Sequence, residues 1–267
     1  MKNLSNTTAI LISFMRPEYT MECIKSLKEI YPSINILVGE NGKYNTDLGK
    51  FCQENKTKYI LMPFDSGVCF ARNRLVEFVN TEYILIGDDD FYYNKKVGID
   101  KMVKFLKEHE EFDLIGGRIY EHGKVSNYQG NIKIFDDHFE YIKLDDKYEK
   151  CQVSGLRYKK CDITFNFFVV KKQPIKYLKW DEKIKVSFEH SDWFLSLKKA
   201  GINIAFTPDC IVVHKPDHIE LDKEIMDLYK YYRNRRIDGD YFFRKHKIKY
   251  SIGFRGIKKS VEEMLRK

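Results

Sequence analysis

No stretch of this 267-residue chain is apolar over the roughly 18 to 20 residues that a spanning helix needs, so no segment reads as a helical membrane span. The opening "MKNLSNTTAILISFMRP" has one lysine, a short apolar run and no small-residue cleavage site; it predicts a core strand rather than a secretory signal. The six cysteines (Cys23, Cys52, Cys69, Cys151, Cys161 and Cys210) include no CxxC pair, which argues against a zinc site and predicts buried thiols in a reducing cytosol. There is no internal repeat and no low-complexity tract. What the chain does have is apolar mass, 43% of residues against 32% charged, which predicts a packed core rather than disorder. Its length suits one large domain, or one domain plus an extension.

Positive charge is scarce in the body and dense at the end. Lys230 to Lys267 carries 13 Lys/Arg against 4 Asp/Glu, whereas Met1 to Tyr229 carries 34 against 35. The tail "LYKYYRNRRIDGDYFFRKHKIKYSIGFRGIKK" alternates rings and cations, a composition that suits an anionic membrane surface. Nucleic acid is the other anionic partner, but no nucleic-acid motif accompanies the tail and the body has no basic stripe. The expected division is an α/β body over 1–217 and a basic, aromatic, mainly helical extension over 218–267. The expected location is cytoplasmic, peripheral on the inner face of the cell membrane, with no nucleic acid bound.

Strand and helix signals alternate through the first 120 or so residues. "TAILISF", "INILVG", "KYILM" and "EYILIG" read as buried strands. "PEYTMECIKSLKEI", "DLGKFCQEN", "GVCFARNRLVEFV" and "VGIDKMVKFLKEHE" read as the helices between them, the first opening on Pro17. This order predicts an α/β fold: a mostly parallel sheet with helices on both faces. "FDLIGGRIY" and "CDITFNFFVVKK" add strands, "SFEHSDWFLSLKKAG" a helix, and "NIAFTPDCIVVH" one or two strands. The region from Glu121 to Glu149 lacks a clear period and predicts hairpins or a mobile excursion.

One strand ends in three consecutive carboxylates, Asp88, Asp89 and Asp90, at the sheet edge where α/β folds bind ligands. Extended residues at i and i+2 point the same way, so Asp88 and Asp90 are expected to converge and Asp89 to point elsewhere. Two converging carboxylates suit a hard cation, Mn²⁺ or Mg²⁺, completed by phosphate oxygens and water. A solvated acidic turn is the plainer alternative. An EF-hand is excluded, because Tyr93 stands at the loop-glycine position and Ile99 at the closing-Glu position. A metal-dependent phosphohydrolase also places DxD after an apolar strand, but expects a small residue and Thr or Val where this chain has "FYY".

"SFMRP" (Ser13 to Pro17), "VGENGKY" (Val38 to Tyr44), "DSGVCFARN" (Asp65 to Asn73) and "LIGDDDF" follow four successive strands, and "SFEHSDWFLSLKKAGINIAFTPDCIVVH" comes later. In this order they resemble family 2 glycosyltransferases of the GT-A fold, over about Ala9 to His214. The EHxDWFL form is similar to that of the β-1,4-N-acetylgalactosaminyltransferases. The resemblance implies a metal-dependent inverting transferase that moves a hexose or N-acetylhexosamine, N-acetylgalactosamine foremost, from a UDP-sugar to a growing surface glycan; the Lys-, Ile- and Asn-rich composition associates that glycan with a bacterial capsule or lipooligosaccharide. A non-catalytic nucleotide-binding partner of a membrane polymerase is the alternative outside enzymes.

The resemblance also implies roles. Asp88 and Asp90 hold the metal, and His214 completes its shell from a late strand. Ser13 and Arg16 flank the nucleotide, Arg72 offers a fork of donors to the diphosphate or to Asp88, and Gly67 and Asp89 belong with the residues that bind the donor. Glu40 and Asn41 stand where the family usually has Asp for base and ribose, so Glu is a departure. Glu189, His190 and Asp192 are all candidates for the general base; Asp192 is preferred because a carboxylate recurs there in the similar subgroup. Trp193 either stacks on a sugar or belongs to the core.

Overall fold

Seven residues rich in β-branched and aliphatic side chains, Thr7–Ser13, form strand β1, buried almost throughout. The computed structural model describes residues 3–126, 128–234, 236–254 and 256–260, so the tail cations Arg235, Arg255, Arg266 and Lys267 lie outside it. After β1 come α1 (Pro17–Ile30), β2 (Asn35–Glu40), α2 (Thr46–Glu54), β3 (Lys58–Leu61), α3 (Val68–Glu77) and β4 (Tyr83–Ile86). Pro17 starts α1 at a position where its missing N–H costs nothing. Asn45 caps α2 by accepting from the Leu48 N–H at 2.8 Å.

The chain continues as β5 (Phe91–Tyr92), α4 (Ile99–Glu108), β6 (Leu114–Glu121), β7 (Lys124–Ser126), β8 (Gly130–Ile134), β9 (His138–Lys143), β10 (Glu149–Lys150) and β11 (Arg157–Cys161). It ends with β12 (Phe168–Lys171), α5 (Lys172–Tyr177), α6 (Glu189–Lys199), β13 (Ile204–His214), α7 (Lys223–Arg233), α8 (Arg236–His246), β14 (Tyr250–Ile252) and β15 (Lys258–Ser260).

The main sheet runs β10-β11-β13-β6-β12-β4-β1-β2-β3. Strands β1 to β4 pair in parallel. Beyond them β12 enters antiparallel to both β4 and β6, so parallel pairing belongs chiefly to the half built by the first strands. Side chains alternate across the sheet. Ala9 and Leu11 join the core under α1, α2 and α4, while Ile10 joins the core under α3, α5, α6 and α8. Helices therefore cover both faces, as the sequence pattern predicts.

The excursion after Glu121 forms hairpins, and β8 and β9 belong to a second sheet ordered β15-β14-β9-β8. Here the C-terminal segment departs from its expected role as an appended extension. Strand β14 pairs in parallel with β9, and Phe242 and Phe243 of α8 are buried in the same core as Trp193. Asp238 is buried and accepts from the Val186 and Ser187 N–H groups at 2.8 and 2.9 Å. The division expected between 217 and 218 is thus not a boundary of packing. The rings read as a membrane-facing stripe are partly core rings of the body. Helix α7 alone buries no residue. No helix among the described residues is long and apolar enough to cross a membrane.

Candidate active site

Strands β1 to β4 end at one edge, and the segments that follow them line a cleft of about 380 Å³. Phe14 and Arg16 follow β1, Asn41 follows β2, Asp65 and Gly67 follow β3, and Asp88 to Asp90 follow β4; His214 ends β13. The backbone is strained around this cleft. Met15 and Asp65 have φ of 59° and 52°, and Phe188, just before α6, has 65°. Such conformations persist where the surrounding structure holds them, most often at functional sites. Gly67 (φ 95°) precedes α3, and a Cβ there would lie 2.7 Å from the Lys185 Cα, so only glycine fits.

The aspartates do not alternate as expected. Strand β4 stops at Ile86 and Asp89 and Asp90 lie in a turn, so the strand period does not apply, and all three carboxylates face the cleft. Each has a counter-charge. Arg16 Nη2 reaches Asp89 Oδ1 at 2.8 Å and Asp90 Oδ2 at 3.1 Å. Arg72 Nη2 lies 3.7 Å from Asp88 Oδ1, and His214 Nε2 lies 3.2 Å from Asp90 Oδ1. Desolvation still raises Asp89 to about 7, against the pull of Arg16. It raises Asp88 to about 6, with Asp90 adding to the rise; the Asp88 side chain keeps 40% exposure, so water tempers this shift. Burial also acts on Asp90, but the nearby His214 imidazole, with Arg16, outweighs it and lowers its pKa.

The donor set fits a hard divalent cation. Asp90 Oδ1 is buried and has no aligned hydrogen-bond donor, despite the nearby imidazole. His214 turns Nε2 toward it while Nδ1 lies 2.9 Å from Glu121 Oε1. A carboxylate behind an imidazole fixes its orientation for a metal. Asp88, Asp90 and His214 are therefore the residues that could hold Mn²⁺ or Mg²⁺.

A smaller cleft of about 270 Å³ opens beside the first and shares Asp88 and His214 with it. Its far wall carries His190, Asn166 and the rings of Tyr128 and Phe165. His190 Nδ1 meets Asn166 Oδ1 at 2.7 Å, which assigns the proton to Nδ1 and leaves Nε2 as an acceptor. Burial, helped by Arg72, pushes the His190 pKa down to about 4, so the ring is neutral near pH 7. Glu189 lines neither cleft. Its carboxylate accepts from Arg72 Nη1 at 2.8 Å and from Asn166 Nδ2 at 3.2 Å, joining the two.

Not every expected residue converges. Asp192 faces α8, 2% exposed, held by Lys245 Nζ at 2.8 Å and His246 Nε2 at 2.7 Å. It does not line these clefts, and Glu189, three residues earlier, turns instead to Arg72 and Asn166. Trp193 is core, stacked between Trp180 and Phe168 at centroid distances of 4.4 and 5.5 Å. Ser13 is fully buried beneath the edge and does not line the cleft. Glu40 lines a third cleft of about 450 Å³, with Tyr44 and Phe64. Asn41 holds the edge together, its Oδ1 accepting from Ser66 Oγ at 2.5 Å and from the Ser66 N–H at 3.0 Å.

Several residues were not singled out from the sequence. Glu121, Asn166 and Tyr128 carry no local signal that marks them. Met226, Tyr229, Lys230 and Arg233 of α7 do: they stand at i, i+3, i+4 and i+7, one helical face, and all line the main cleft.

The sequence model described as Glycosyl transferase family 2 matches residues 8–178, more than half of the chain. Among curated relatives, Beta-1,4 N-acetylgalactosaminyltransferase 2 of Mus musculus is 25% identical over 231 residues, 84% of this chain and 42% of its own length. Beta-1,4 N-acetylgalactosaminyltransferase 1 of Rattus norvegicus is 29% identical over 109 residues, 41% of this chain and 20% of its own length. The chain thus matches less than half the length of either. Among solved structures, S. aureus TarS superposes with a TM-score of 0.57 at 12% identity, covering 86% of this chain and 43% of the TarS chain. At that identity the likeness concerns the fold alone.

Proposed function

Because the chain belongs to glycosyl transferase family 2 and is a glycosyltransferase, we propose a finer reading: a metal-dependent inverting transferase that uses a UDP-sugar. The sugar is a hexose or N-acetylhexosamine, with N-acetylgalactosamine the first donor to test, since that is the sugar in the relatives' names. The acceptor is a growing bacterial surface glycan, and the protein works at the inner face of the cell membrane. The observation that carries the reading is the buried Asp90 Oδ1, close to His214 but without an aligned hydrogen-bond donor, beside Asp88 at the sheet edge where the clefts meet.

In the transfer, an acceptor hydroxyl oxygen attacks the anomeric carbon. The bond from that carbon to the diphosphate oxygen breaks, and UDP leaves with the electron pair. The hydroxyl proton passes to His190 Nε2, the acceptor-side base this geometry favours. Asn166 orients the ring from Nδ1, and Glu189 ties Asn166 to Arg72. Asp88, Asp90 and His214 would hold the cation, which when bound would supply positive charge to stabilise the leaving diphosphate. Arg16 and Arg72 keep the carboxylates poised beside it.

The test is UDP release from a panel of UDP-sugars, with Mn²⁺ and with EDTA. Release is expected only with metal, and Asp90→Ala is expected to abolish it while leaving the melting temperature close to wild type. Metal-independent release would remove the two-carboxylate reading. No release from any donor, with UDP still bound, would favour a non-catalytic nucleotide-binding role.

A further inference from the structure

Helix α7 is at odds with its surroundings: it carries aromatic and aliphatic side chains yet buries none of them. Its residues divide by helical face. Met226, Tyr229, Lys230 and Arg233 look onto the cleft of the three aspartates. Leu221, just before the helix, and Ile225, Leu228 and Tyr232 look onto the cleft of Glu40, Tyr44 and Phe64. Tyr232 lines both, packed edge-on to Phe14 and Phe64 at 5.7 and 5.2 Å. The helix is fastened at each end. Tyr19 OH donates to the Ile219 carbonyl at 2.9 Å, and beyond the helix Asp238 and Phe242 anchor α8. It is a strap over two adjoining clefts, one acidic and cation-lined, one largely apolar.

The cations of the acidic cleft are not equivalent. Arg16 is bound to Asp89 and Asp90, Arg72 to Glu189 and near Asp88, and His214 to Asp90 and Glu121. Lys230 and Arg233 have no carboxylate within ion-pair distance among the described residues; Arg233 rests over the Tyr229 ring, 5.7 Å from its centroid. The Arg233 charge reaches Asp89 without an ion-pair contact, so a phosphate group entering this cleft meets two cations that no carboxylate holds at close range, both from α7. Taking the donor reading above as its basis, we infer that α7 is the outer wall of the donor site. Lys230 and Arg233 bind the diphosphate of the nucleoside diphosphate, and the Leu228–Tyr232 face covers the base in the neighbouring cleft. Arg is suited to a forked contact with phosphate oxygens and Lys to a point contact. The C-terminal segment would then be part of the catalytic unit, which the charge count alone does not indicate.

The test is calorimetric titration of the full chain with UDP, with uridine and with inorganic pyrophosphate, each with Mn²⁺ and with EDTA. Wild type should bind UDP more tightly than uridine. Lys230→Gln/Arg233→Gln should weaken UDP and pyrophosphate by about tenfold or more, the scale of a lost charged hydrogen bond, and leave uridine unchanged. The charge-keeping pair Lys230→Arg/Arg233→Lys should bind UDP close to wild type. Neither pair should shift the melting temperature, since α7 buries nothing. Unaltered UDP binding in the Gln pair overturns the inference, and so does equal loss in both pairs, which would mean that shape rather than charge matters. If wild type binds neither UDP nor pyrophosphate, the donor reading itself fails.

Discussion

Glu40 shows how one side chain departs from its position's usual chemistry. It is 2% exposed, and burial pushes its pKa up to about 7 despite the Gly42 N–H donating to Oε1 at 2.7 Å. A carboxyl raised in the folded state gives stability that is present below the unfolded value near 4.5 and lost as pH rises through about 7. Glu40→Gln keeps the acceptor for Gly42 and removes the titration. The variant should therefore match wild type near pH 4.5 and be more stable at pH 8, by on the order of 2 to 3 kcal/mol. Urea melts of both proteins at the two pH values measure this; parallel pH dependence would show that Glu40 does not titrate in that window. The same residue marks a limit of sequence reading. Its place at the end of β2 was legible, but the protonation state follows from packing that the motif does not encode.

Helix α6 presents two chemistries on two faces. His190 looks into the smaller cleft, and Asp192 looks at α8. His190→Gln should cut turnover by about a hundredfold or more, the scale of a lost general base, with UDP affinity and melting temperature kept. Asp192→Asn should do the reverse. It removes the buried carboxylate that Lys245 and His246 share and leaves Lys245 with Asp181 alone, and breaking such a buried pair costs about 3 kcal/mol or more. Thermal melts and steady-state rates on both variants decide it; a stable Asp192→Asn protein with lost turnover would restore Asp192 as the base. Helix α6 itself, β1 to β4 and the acidic cluster were legible because each rests on a local period or run. The partner of Asp192 was not, because His246 lies 54 residues away in sequence and no local pattern connects them. Nor was the turn at Asp89 and Asp90, since an apolar run does not announce where its last strand residue falls.

At the scale of the whole molecule, the tail's positive charge is less free than its count implies. Lys245 is engaged by Asp181 and Asp192, each at 2.8 Å, and Arg244 by Asp240 at 2.5 Å. Lys230 and Arg233 face the acidic cleft. Lys247, Lys249 and Lys259 remain on the described surface without an ion pair, alongside the exposed side chains of Tyr231, Ile237 and Ile257. The proposal of a membrane-facing tail therefore rests on these cations and rings rather than on the full basic stretch. It also rules out the simplest test: a chain ending near Gly239 would strip Phe242 and Phe243 from the core and release Asp192. Charge reversal at exposed lysines leaves the core rings and Asp192 in place. Lys247→Glu/Lys249→Glu should retain UDP release from the donor but lose sedimentation with anionic vesicles, since each cation near such a surface is worth roughly 1 kcal/mol. Wild-type sedimentation should fall between low and high salt, because attraction to a charged surface is screened over about 10 Å at 0.1 M. If wild type fails to sediment with anionic vesicles at low salt, the surface claim is lost; if the reversed variant sediments as wild type does, binding resides in other residues, and the rings and the remaining cations are the next to change.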